Sequence, residues 1–233
     1  MNIAVIPARG GSKRIPRKNI KAFCGKPMIA WSIERALESR LFERVIVSTD
    51  DDEIASVASE YGALVPFRRP AHLSDDRTPT APVIVHAIKF CEETLAEVSH
   101  ACCIYPCAPF LQATDLSASL VMLKEKNADF IYPVTPYPHP VQRALKMTQD
   151  GRMQFLHPEF ELTNTQNLDT LYHDTGQFYW GKVSAWLADK KMHSGGIGFP
   201  VPGWRVVDID NMDDWMRAEL IQKAIREQLS LLG

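Results

Sequence analysis

The chain has 233 residues, of which 45% are apolar, and its formal net charge at pH 7 is −2. This apolar fraction is enough to bury a large core, and the near-neutral charge argues against nucleic acid and anionic membrane surfaces as partners. The apolar run at the N-terminus is too short for a signal peptide, and no stretch approaches the ~20 apolar residues of a membrane span. The five cysteines contain no C-x-x-C pair, so neither a disulfide framework nor a zinc site is predicted, and a reducing cytoplasm is the expected compartment.

Strand-like and helix-like patterns alternate along the chain. This alternation predicts one α/β domain over residues 1–233, with a mainly parallel sheet between two layers of helices. The predicted strands cover residues 3–6, 44–49, 101–105, 130–135, 176–180 and 205–209. The predicted helices begin at Pro27 and at Thr80 and cover residues 53–61, 183–189 and 213–231.

The alternation breaks between about residues 141 and 174. Within this stretch Asp150 and Gly151 separate two short apolar segments, which is a signal for a β-hairpin. We therefore expect a small antiparallel arm that leaves the main sheet.

The first predicted strand runs into a loop that combines glycine with positive charge. Gly10 and Gly11 let backbone N–H groups approach a ligand closely, and ligands of open α/β sheets lie beyond the carboxyl ends of the strands. The loop carries five cationic side chains, which are Arg9, Lys13, Arg14, Arg17 and Lys18. We interpret it as a loop that binds nucleotide phosphates, with a solvated basic loop as the alternative. It matches neither standard glycine fingerprint, since it lacks G-x-G-x-x-G, and Gly25-Lys26 is followed by Pro27.

Two acidic patterns could either bind a metal or cap a helix. Asp208 and Asp210 alternate along a predicted strand, so both carboxylates share one face and could hold one Mg²⁺ ion. A helix cap that includes Asn211 is an equal alternative for this pair. For the acidic triplet at 50–52, which precedes a predicted helix, capping is the favoured interpretation and metal binding is the alternative.

Residues 172–180 form a dense polar and aromatic cluster. Considered alone, the cluster is typical of a strand with Phe178 and Trp180 on one buried face. Considered alone, Thr80 is likewise expected to cap the helix that it starts.

From Ile6 to Asn19 the chain resembles the opening motif of the CMP-sugar synthetases, I-P-A-R-x-G-S-K-x-x-x-x-K-N. This family joins CMP to a 3-deoxy-2-ulosonic acid. The segment from His173 to Trp180 is similar to the pseudaminic acid branch of the family, which differs there from its sialic acid relatives. The resemblance implies a Rossmann-like, three-layer nucleotidyltransferase fold and a CTP-dependent cytidylyltransferase. The implied reaction transfers CMP from CTP to the anomeric hydroxyl of pseudaminic acid and releases pyrophosphate.

The resemblance also implies roles for individual residues. Catalytic roles fall to Arg9, Lys13, Lys18 and Asp210, and Mg²⁺ would be held by Asp208 and Asp210. CTP would be bound by Ala8, Arg9, Gly10, Gly11, Ser12, Lys13, Asn19, Arg69, Thr80 and Pro106. The nonulosonic acid would be bound by Arg143, Gln166, His173, Asp174 and Gln177. Arg143 is assigned to the sugar carboxylate because arginine makes bidentate pairs with carboxylates, and because related enzymes often have an arginine where this chain has Asn164. The insertion of CMP-sugar synthetases that corresponds to the antiparallel arm is a dimerisation arm, so the resemblance also implies a homodimer.

Three alternatives remain open. The same reaction could act on legionaminic or sialic acid, for which Arg14 and the cluster around Gln177 are the discriminating features. A metal-dependent glycosyltransferase with a D-x-D site is a different class of enzyme, against which the cationic loop at the start of the chain argues. A non-enzymatic nucleotide-binding protein of the same fold would not need both the loop and the paired aspartates.

Overall fold

The structure is a computed structural model that describes residues 1–75 and 77–231. The strands are β1 (Asn2–Pro7), β2 (Ala22–Phe23), β3 (Lys26–Pro27), β4 (Arg44–Ser48), β5 (His100–Ile104), β6 (Phe130–Pro136), β7 (Leu145–Met147), β8 (Met153–Phe155), β9 (Tyr172–Asp174), β10 (Phe178–Lys182) and β11 (Ile197–Pro200). The α-helices are α1 (Met28–Ser39), α2 (Asp52–Glu60), α3 (Thr80–Thr94), α4 (Ala113–Glu125), α5 (Val183–Leu187) and α6 (Met212–Leu231).

Seven of these strands form the main sheet, in the order β11-β6-β10-β5-β1-β4, with β9 also paired to β6. β1 is parallel to both β4 and β5, and β11 is parallel to β6. β10 is antiparallel to its neighbours β5 and β6, and β9 is antiparallel to the end of β6. The prediction of a mainly parallel α/β sheet is confirmed.

Alternation along the strands builds one core on each face of the sheet. Ala4 and Ile6 of β1 pack with buried residues of α1, α2 and α4, whereas Ile3 and Val5 pack with buried residues of α3 and α5. β5 is buried along residues 101–104, as expected for a central strand covered on both faces. Helices therefore cover both faces, and the carboxyl ends of β1, β4 and β5 are left for a ligand site.

The acidic triplet after β4 caps a helix, as the sequence predicts. Asp51 is the N-cap residue of α2, and its side-chain Oδ1 accepts a hydrogen bond from Ile54 N at 3.0 Å. Thr80 is different, because it is the first residue of α3 and Pro79 occupies the N-cap position without a side-chain cap. The prediction that Thr80 caps this helix is wrong.

The predicted strand at 205–209 is not found. Residues Gly203–Arg205 form a short 3₁₀ turn, and residues 206–210 run on without pairing in the sheet. β11 occupies the edge next to β6 instead. Val207 and Ile209 are nevertheless buried, because they pack with Trp215 and other residues of a third apolar cluster. Buried and polar residues therefore do alternate over residues 206–210, but they do so in an extended segment with one buried side that is not a strand of the sheet.

Residues 141–171 leave the main sheet. β7 and β8 pair as an antiparallel hairpin, and Gly151 takes a left-handed conformation in its turn with φ of +82°. Several apolar side chains of this segment are exposed, which are those of Leu145, Met147, Met153, Leu156 and Leu162. This segment is called the arm below.

The five cysteines are free thiols. Cys102 and Cys103 are fully buried in β5, and burial raises the pKa of both thiols well above the usual value. Within the described residues, no helix combines the length and the apolar character needed to cross a membrane.

Candidate active site

The cationic loop lies at the carboxyl end of β1, beside the end of β4. Gly10 packs so closely there that a Cβ atom on it would lie 2.5 Å from Asp51 Oδ2, so a larger residue would displace the cap of α2. Asn19 is buried, and its Nδ2 donates to Arg9 O at 2.9 Å. Arg9 Nη1 donates to Asp75 O at 3.0 Å. Contacts within the protein therefore hold the loop in shape without a ligand.

A cleft of about 540 Å³ opens in front of this loop. Four of the loop cations line it, which are Arg9, Lys13, Arg14 and Lys18. Arg17 does not line the cleft. Its Nη1 and Nη2 donate to the two carboxylate oxygens of Asp51 at 2.5 and 3.0 Å, and Nη2 also contacts Glu53. The expectation of a phosphate-facing side chain is wrong for Arg17, because this side chain neutralises the acidic start of α2.

Arg69, Thr80, Tyr105 and Pro106 also line the cleft. Arg69 is only 7% exposed, its Nε donates to Ser48 Oγ at 3.2 Å, and burial lowers the pKa of its guanidinium. The hydroxyl oxygens of Thr80 and Tyr105 lie 3.2 Å apart. These contacts give the wall a fixed set of hydrogen-bonding groups.

The other nucleotide-binding candidates divide into two groups. Ser12 and Asn19 line the cleft, whereas Ala8, Gly10 and Gly11 are not among its lining residues. Ala8 is fully buried, and its backbone N donates to Ser48 O at 3.0 Å. Its side chain therefore packs in the core behind the loop.

The two candidate metal ligands lie where the N-terminal loop meets the segment before α6. Arg14 makes a bidentate pair with Asp210, with nitrogen–oxygen distances of 2.8 and 2.7 Å. Lys18 Nζ donates to Ile209 O at 2.6 Å and lies 3.9 Å from Asp210 Oδ1. The pKa of Asp208 is raised, first by burial and then by the nearby negative charge of Asp210. Residues almost two hundred positions apart thus form one electrostatic cluster.

Neither of these aspartate side chains caps α6. Asn211 Oδ1 accepts hydrogen bonds from the backbone N of Asp213 and of Asp214, at 2.9 and 3.0 Å. Asp214 Oδ2 accepts in return from Asn211 N at 3.2 Å and from Asp210 N at 3.1 Å. This reciprocal arrangement is a capping box, so the capping alternative applies to Asn211 and Asp214 and does not use the carboxylates of Asp208 and Asp210.

Two further cavities continue the cleft beyond the paired aspartates. One of about 200 Å³ is lined by Lys18, Asn19, Gln177, Asp208 and Asp210 among others. The next, of about 670 Å³, shares Asp208 with it and is also lined by His173, Asp174 and Thr175. Asp208 and Asp210 therefore separate the cationic half of the site from a second, mixed polar half.

Asp174 and Gln177 are largely committed to contacts within the protein. Asp174 Oδ1 accepts from Gly176 N at 2.8 Å, and its Oδ2 lies 2.6 Å from Tyr179 OH and 2.8 Å from His193 Nε2. Gln177 is 6% exposed, and its Nε2 donates to Arg205 O at 2.9 Å. Asp174 therefore orders the break between β9 and β10 that forms the floor of the second half.

The structure does not bring the arm candidates to these cavities. Arg143 is exposed in the 3₁₀ turn Val141–Arg143, and Gln166 is exposed in a second turn, Thr165–Asn167. Neither belongs to the residues that line the three cavities. His173 does line the largest of them.

Comparison with known proteins decides the family. A family model described as cytidylyltransferase matches residues 3–194 of this chain. The chain belongs to the cytidylyltransferase family. The prediction of a CTP-dependent nucleotidyltransferase is thereby confirmed.

Relatives of this cytidylyltransferase include proteins of similar length. The pseudaminic acid cytidylyltransferase of Campylobacter jejuni is 38% identical over 229 residues, which cover 97% of this chain and 98% of that protein. The CMP-N,N'-diacetyllegionaminic acid synthase of Legionella pneumophila is 27% identical over 235 residues, with coverage of 97% and 98%. A solved CMP:2-keto-3-deoxy-manno-octonic acid synthetase superimposes with a TM-score of 0.69 at 17% identity, covering 95% of this chain and 99% of that one. This last likeness confirms the predicted nucleotidyltransferase fold.

The sequence did not single out several polar residues that line the site of the cytidylyltransferase. Tyr105 and Thr135 lie at the carboxyl ends of β5 and β6, and Thr175 lies in the break before β10. Tyr105 and Thr135 could have been predicted as site residues, because each lies at the carboxyl end of a buried strand. Arg217 of α6 also lines the largest cavity. No local pattern marks it, because only the folding of α6 against the sheet brings it there.

The donor set of the paired aspartates fits a hard divalent cation. Both donors are carboxylates, and among the described residues no group of three or more His, Cys, Asp or Glu side chains is suited to hold a metal. Mg²⁺ binds to one or two carboxylates when substrate phosphates supply further oxygens. These two carboxylates would therefore hold such a cation only together with oxygens of a bound substrate.

Proposed function

We propose that this cytidylyltransferase transfers CMP from CTP to the anomeric hydroxyl of pseudaminic acid, giving CMP-pseudaminic acid and pyrophosphate. The identity of 38% to a pseudaminic acid cytidylyltransferase, over 97% of the chain, supports this choice of sugar. The five free thiols fit a reducing compartment, and we infer that the enzyme acts in the cytoplasm.

The observation that carries the proposal is the position of Asp208 and Asp210 at the junction of two cavities. Asp210 lines the cationic cleft, and Asp208 lines the polar cavity beyond it. In a nucleotidyl transfer the attacking oxygen of the sugar acid and the leaving pyrophosphate lie in line, on opposite sides of the reacting phosphorus of CTP. The cleft of the N-terminal loop would bind the triphosphate, and the second cavity would bind the sugar acid.

The cations of the loop would stabilise charge on the triphosphate. Arg9 and Lys13 would bind phosphate oxygens and the departing pyrophosphate, and Lys18 would act at the junction, since its ammonium lies beside Asp210. Ser12, Asn19 and the backbone at Ala8, Gly10 and Gly11 would shape the phosphate site. The cytidine would lie against the wall formed by Arg69, Thr80 and Pro106.

Asp208 and Asp210 would hold Mg²⁺. When bound, this cation would neutralise phosphate charge and lower the pKa of the attacking hydroxyl. Arg14 must then release at least one oxygen of Asp210, because it pairs with both oxygens in this structure. The triphosphate offers the guanidinium a replacement partner in the same cleft.

We also propose that the arm mediates a homodimer. Its exposed apolar side chains, such as Leu162 at 95% exposure, are the kind of surface that a second copy covers. Arg143 and Gln166 lie on this arm, away from the cavities of their own protomer, so they would contact the sugar only in the site of the partner. His173, Asp174 and Gln177 would shape the sugar cavity from within the protomer.

The test is pyrophosphate release from CTP and Mg²⁺ with pseudaminic, legionaminic and N-acetylneuraminic acids supplied separately. Release with pseudaminic acid, at the highest kcat/KM of the three, is expected. Release only with legionaminic acid would keep the reaction and change the sugar, as the 27% identical relative from Legionella pneumophila makes plausible. No release with any acid would contradict the proposal and favour a glycosyltransferase or a nucleotide-binding protein.

A further inference from the structure

The cavity of about 670 Å³ beyond Asp208 is lined by two threonines whose buried hydroxyl groups have no hydrogen-bond partner in the described part of the chain. Thr135 and Thr175 are 2% and 5% exposed, and neither Oγ1 has a hydrogen-bond partner among the described residues. Both residues line the cavity. Thr135 Oγ1 borders Gly203, where a Cβ atom would lie 3.3 Å from it. A buried hydroxyl without a partner is unfavourable, so two of them on one cavity indicate a polar ligand.

The same cavity has one strongly basic side chain among its described lining residues. Arg217, in the second turn of α6, is exposed and makes no ion pair with another described residue. It shares the cavity with Asp208 and Asp174, so the cavity is otherwise acidic. These carboxylates would repel an anionic ligand unless the ligand also forms an ion pair with a cation such as Arg217.

We propose that Arg217 binds the carboxylate of the sugar acid, and that the hydroxyls of Thr135 and Thr175 bind polar substituents of its ring or side chain. The inference rests on the proposed function, because it assumes that a sugar acid occupies this cavity. A sugar acid carries its carboxylate on the carbon that also bears the attacking hydroxyl. A hydroxyl placed at Asp208 therefore puts the carboxylate in the same cavity as Arg217, whose guanidinium can bind it through two parallel hydrogen bonds.

Two other cations are less suited to this role. The ammonium of Lys18 already donates to Ile209 O at 2.6 Å, and Lys18 is not among the residues that line this cavity. Arg143 lies on the arm, away from the cavity of its own protomer. Arg217 is thus the cation that a single protomer places beside both the hydroxyls and Asp208.

The test measures KM and kcat for the sugar acid and for CTP in wild type, Arg217→Gln, Arg217→Lys, Arg143→Gln and Arg44→Gln. Arg217→Gln is expected to raise KM for the sugar acid about 10- to 100-fold, the range for a lost charge-assisted pair, while KM for CTP stays unchanged. Arg217→Lys should recover part of this loss. Arg44 is the matched control, because it is exposed at the amino end of β4 and its loss changes the net charge equally.

A binding readout separates carboxylate recognition from general damage to the site. Wild type should bind the sugar acid about 10- to 100-fold more tightly than its carboxamide, whereas Arg217→Gln should bind the two alike. Thr135→Val should weaken sugar binding while keeping or raising the melting temperature, since it removes a hydroxyl that is unpaired in the free protein.

Three results would overturn the inference. The first is a KM for the sugar acid in Arg217→Gln that equals that of wild type. The second is a preference for the acid over its carboxamide that persists in Arg217→Gln. The third is a rise in KM for the sugar acid that occurs only in Arg143→Gln, which would assign the carboxylate to the partner's arm. Failure of the proposed function looks different, because wild type itself would then release no pyrophosphate with any acid. In that case the inference falls with it.

Discussion

The pair between Arg14 and Asp210 predicts that Arg14→Ala strengthens binding of a divalent cation in the absence of nucleotide. Arg14 is 68% exposed and Asp210 is 35% exposed in their side chains. An exposed bidentate pair of this kind is worth about 0.5–1 kcal/mol. A cation that displaces Arg14 from Asp210 gives up that amount, so removal of Arg14 should tighten cation binding at least about 2- to 5-fold. This is a lower bound, because Arg14 also repels the cation.

The assay is titration with Mn²⁺, with free Mn²⁺ followed by electron paramagnetic resonance, without CTP and at low ionic strength. Arg44→Ala is the control for net charge, since Arg44 lies at the opposite end of the strands from the cleft. The gain should shrink as salt is added, because exposed charges are screened. CTP binding should change in the opposite direction. Because Arg14 is proposed to pair with the triphosphate, KM for CTP should rise in Arg14→Ala. An unchanged or weaker Mn²⁺ affinity in this variant would refute the idea that Arg14 competes with the cation.

The other predictions concern the junction and the start of α2. Asp210→Asn should lower the rate of pyrophosphate release by at least about 100-fold. Its melting temperature should shift by only about 2–4 °C, because the pair of Asp210 with Arg14 is exposed. Full activity of this variant would exclude Asp210 as a ligand of the catalytic cation. Lys18→Ala should lower kcat by about 100-fold, and a variant that only melts earlier, at full activity, would assign Lys18 to stability alone. Hydrogen bonds from Arg17 hold the pKa of Asp51 at about 2, below its ordinary value of 3.8. The resulting stability is complete above pH 4 and is lost as the pH falls towards 2, so the melting temperature of wild type should drop more steeply over that range than that of Asp51→Asn; parallel curves would contradict this assignment.

Local signals predicted the parts of the fold that depend on neighbouring residues. The buried strand β1, the loop after it and the capping role of Asp51 each follow from a few consecutive residues. The hairpin at Gly151 also follows from its turn residues. In each case the pattern that predicts the element and the contacts that stabilise it lie in the same short segment.

Elements that depend on a distant partner were predicted less well. Val207 and Ile209 alternate with polar residues just as a half-buried strand does, but a strand needs a neighbour to pair with, and β11 already occupies the sheet edge. β11 itself has only four residues and contains Gly198 and Pro200, which are uncommon inside strands, so the sequence does not predict it. The spacing of apolar residues cannot show which of the two segments pairs with β6 at the edge of the sheet.

The same limit applies to the charged side chains of the site. Five cations in one loop look equivalent in sequence, yet Arg17 pairs with the acidic start of α2 while Arg14 and Lys18 reach the segment before α6. Which partner each cation finds depends on the packing of three separate elements against the ends of β1 and β4. Arg217 was missed for the same reason, since Thr135 and Thr175, which line the same cavity, come from other elements.

The contacts of the loop with residues 209 and 210 connect the proposed phosphate site to the proposed cation site. Lys18 and Arg14 reach this segment from the N-terminal loop, while the backbone N of Asp210 is held by the capping box of α6. A triphosphate that recruits Arg14 would therefore free Asp210 for a cation, and the cation would in turn neutralise charge beside the cavity of Arg217. On the proposed function, Arg14 and Asp210 pair with each other until the triphosphate and the cation bind, whereas Arg217, which has no ion pair with another described residue, is left for the sugar carboxylate. In the free enzyme the pair of Arg14 with Asp210 compensates the charge of that carboxylate and of one cation of the loop.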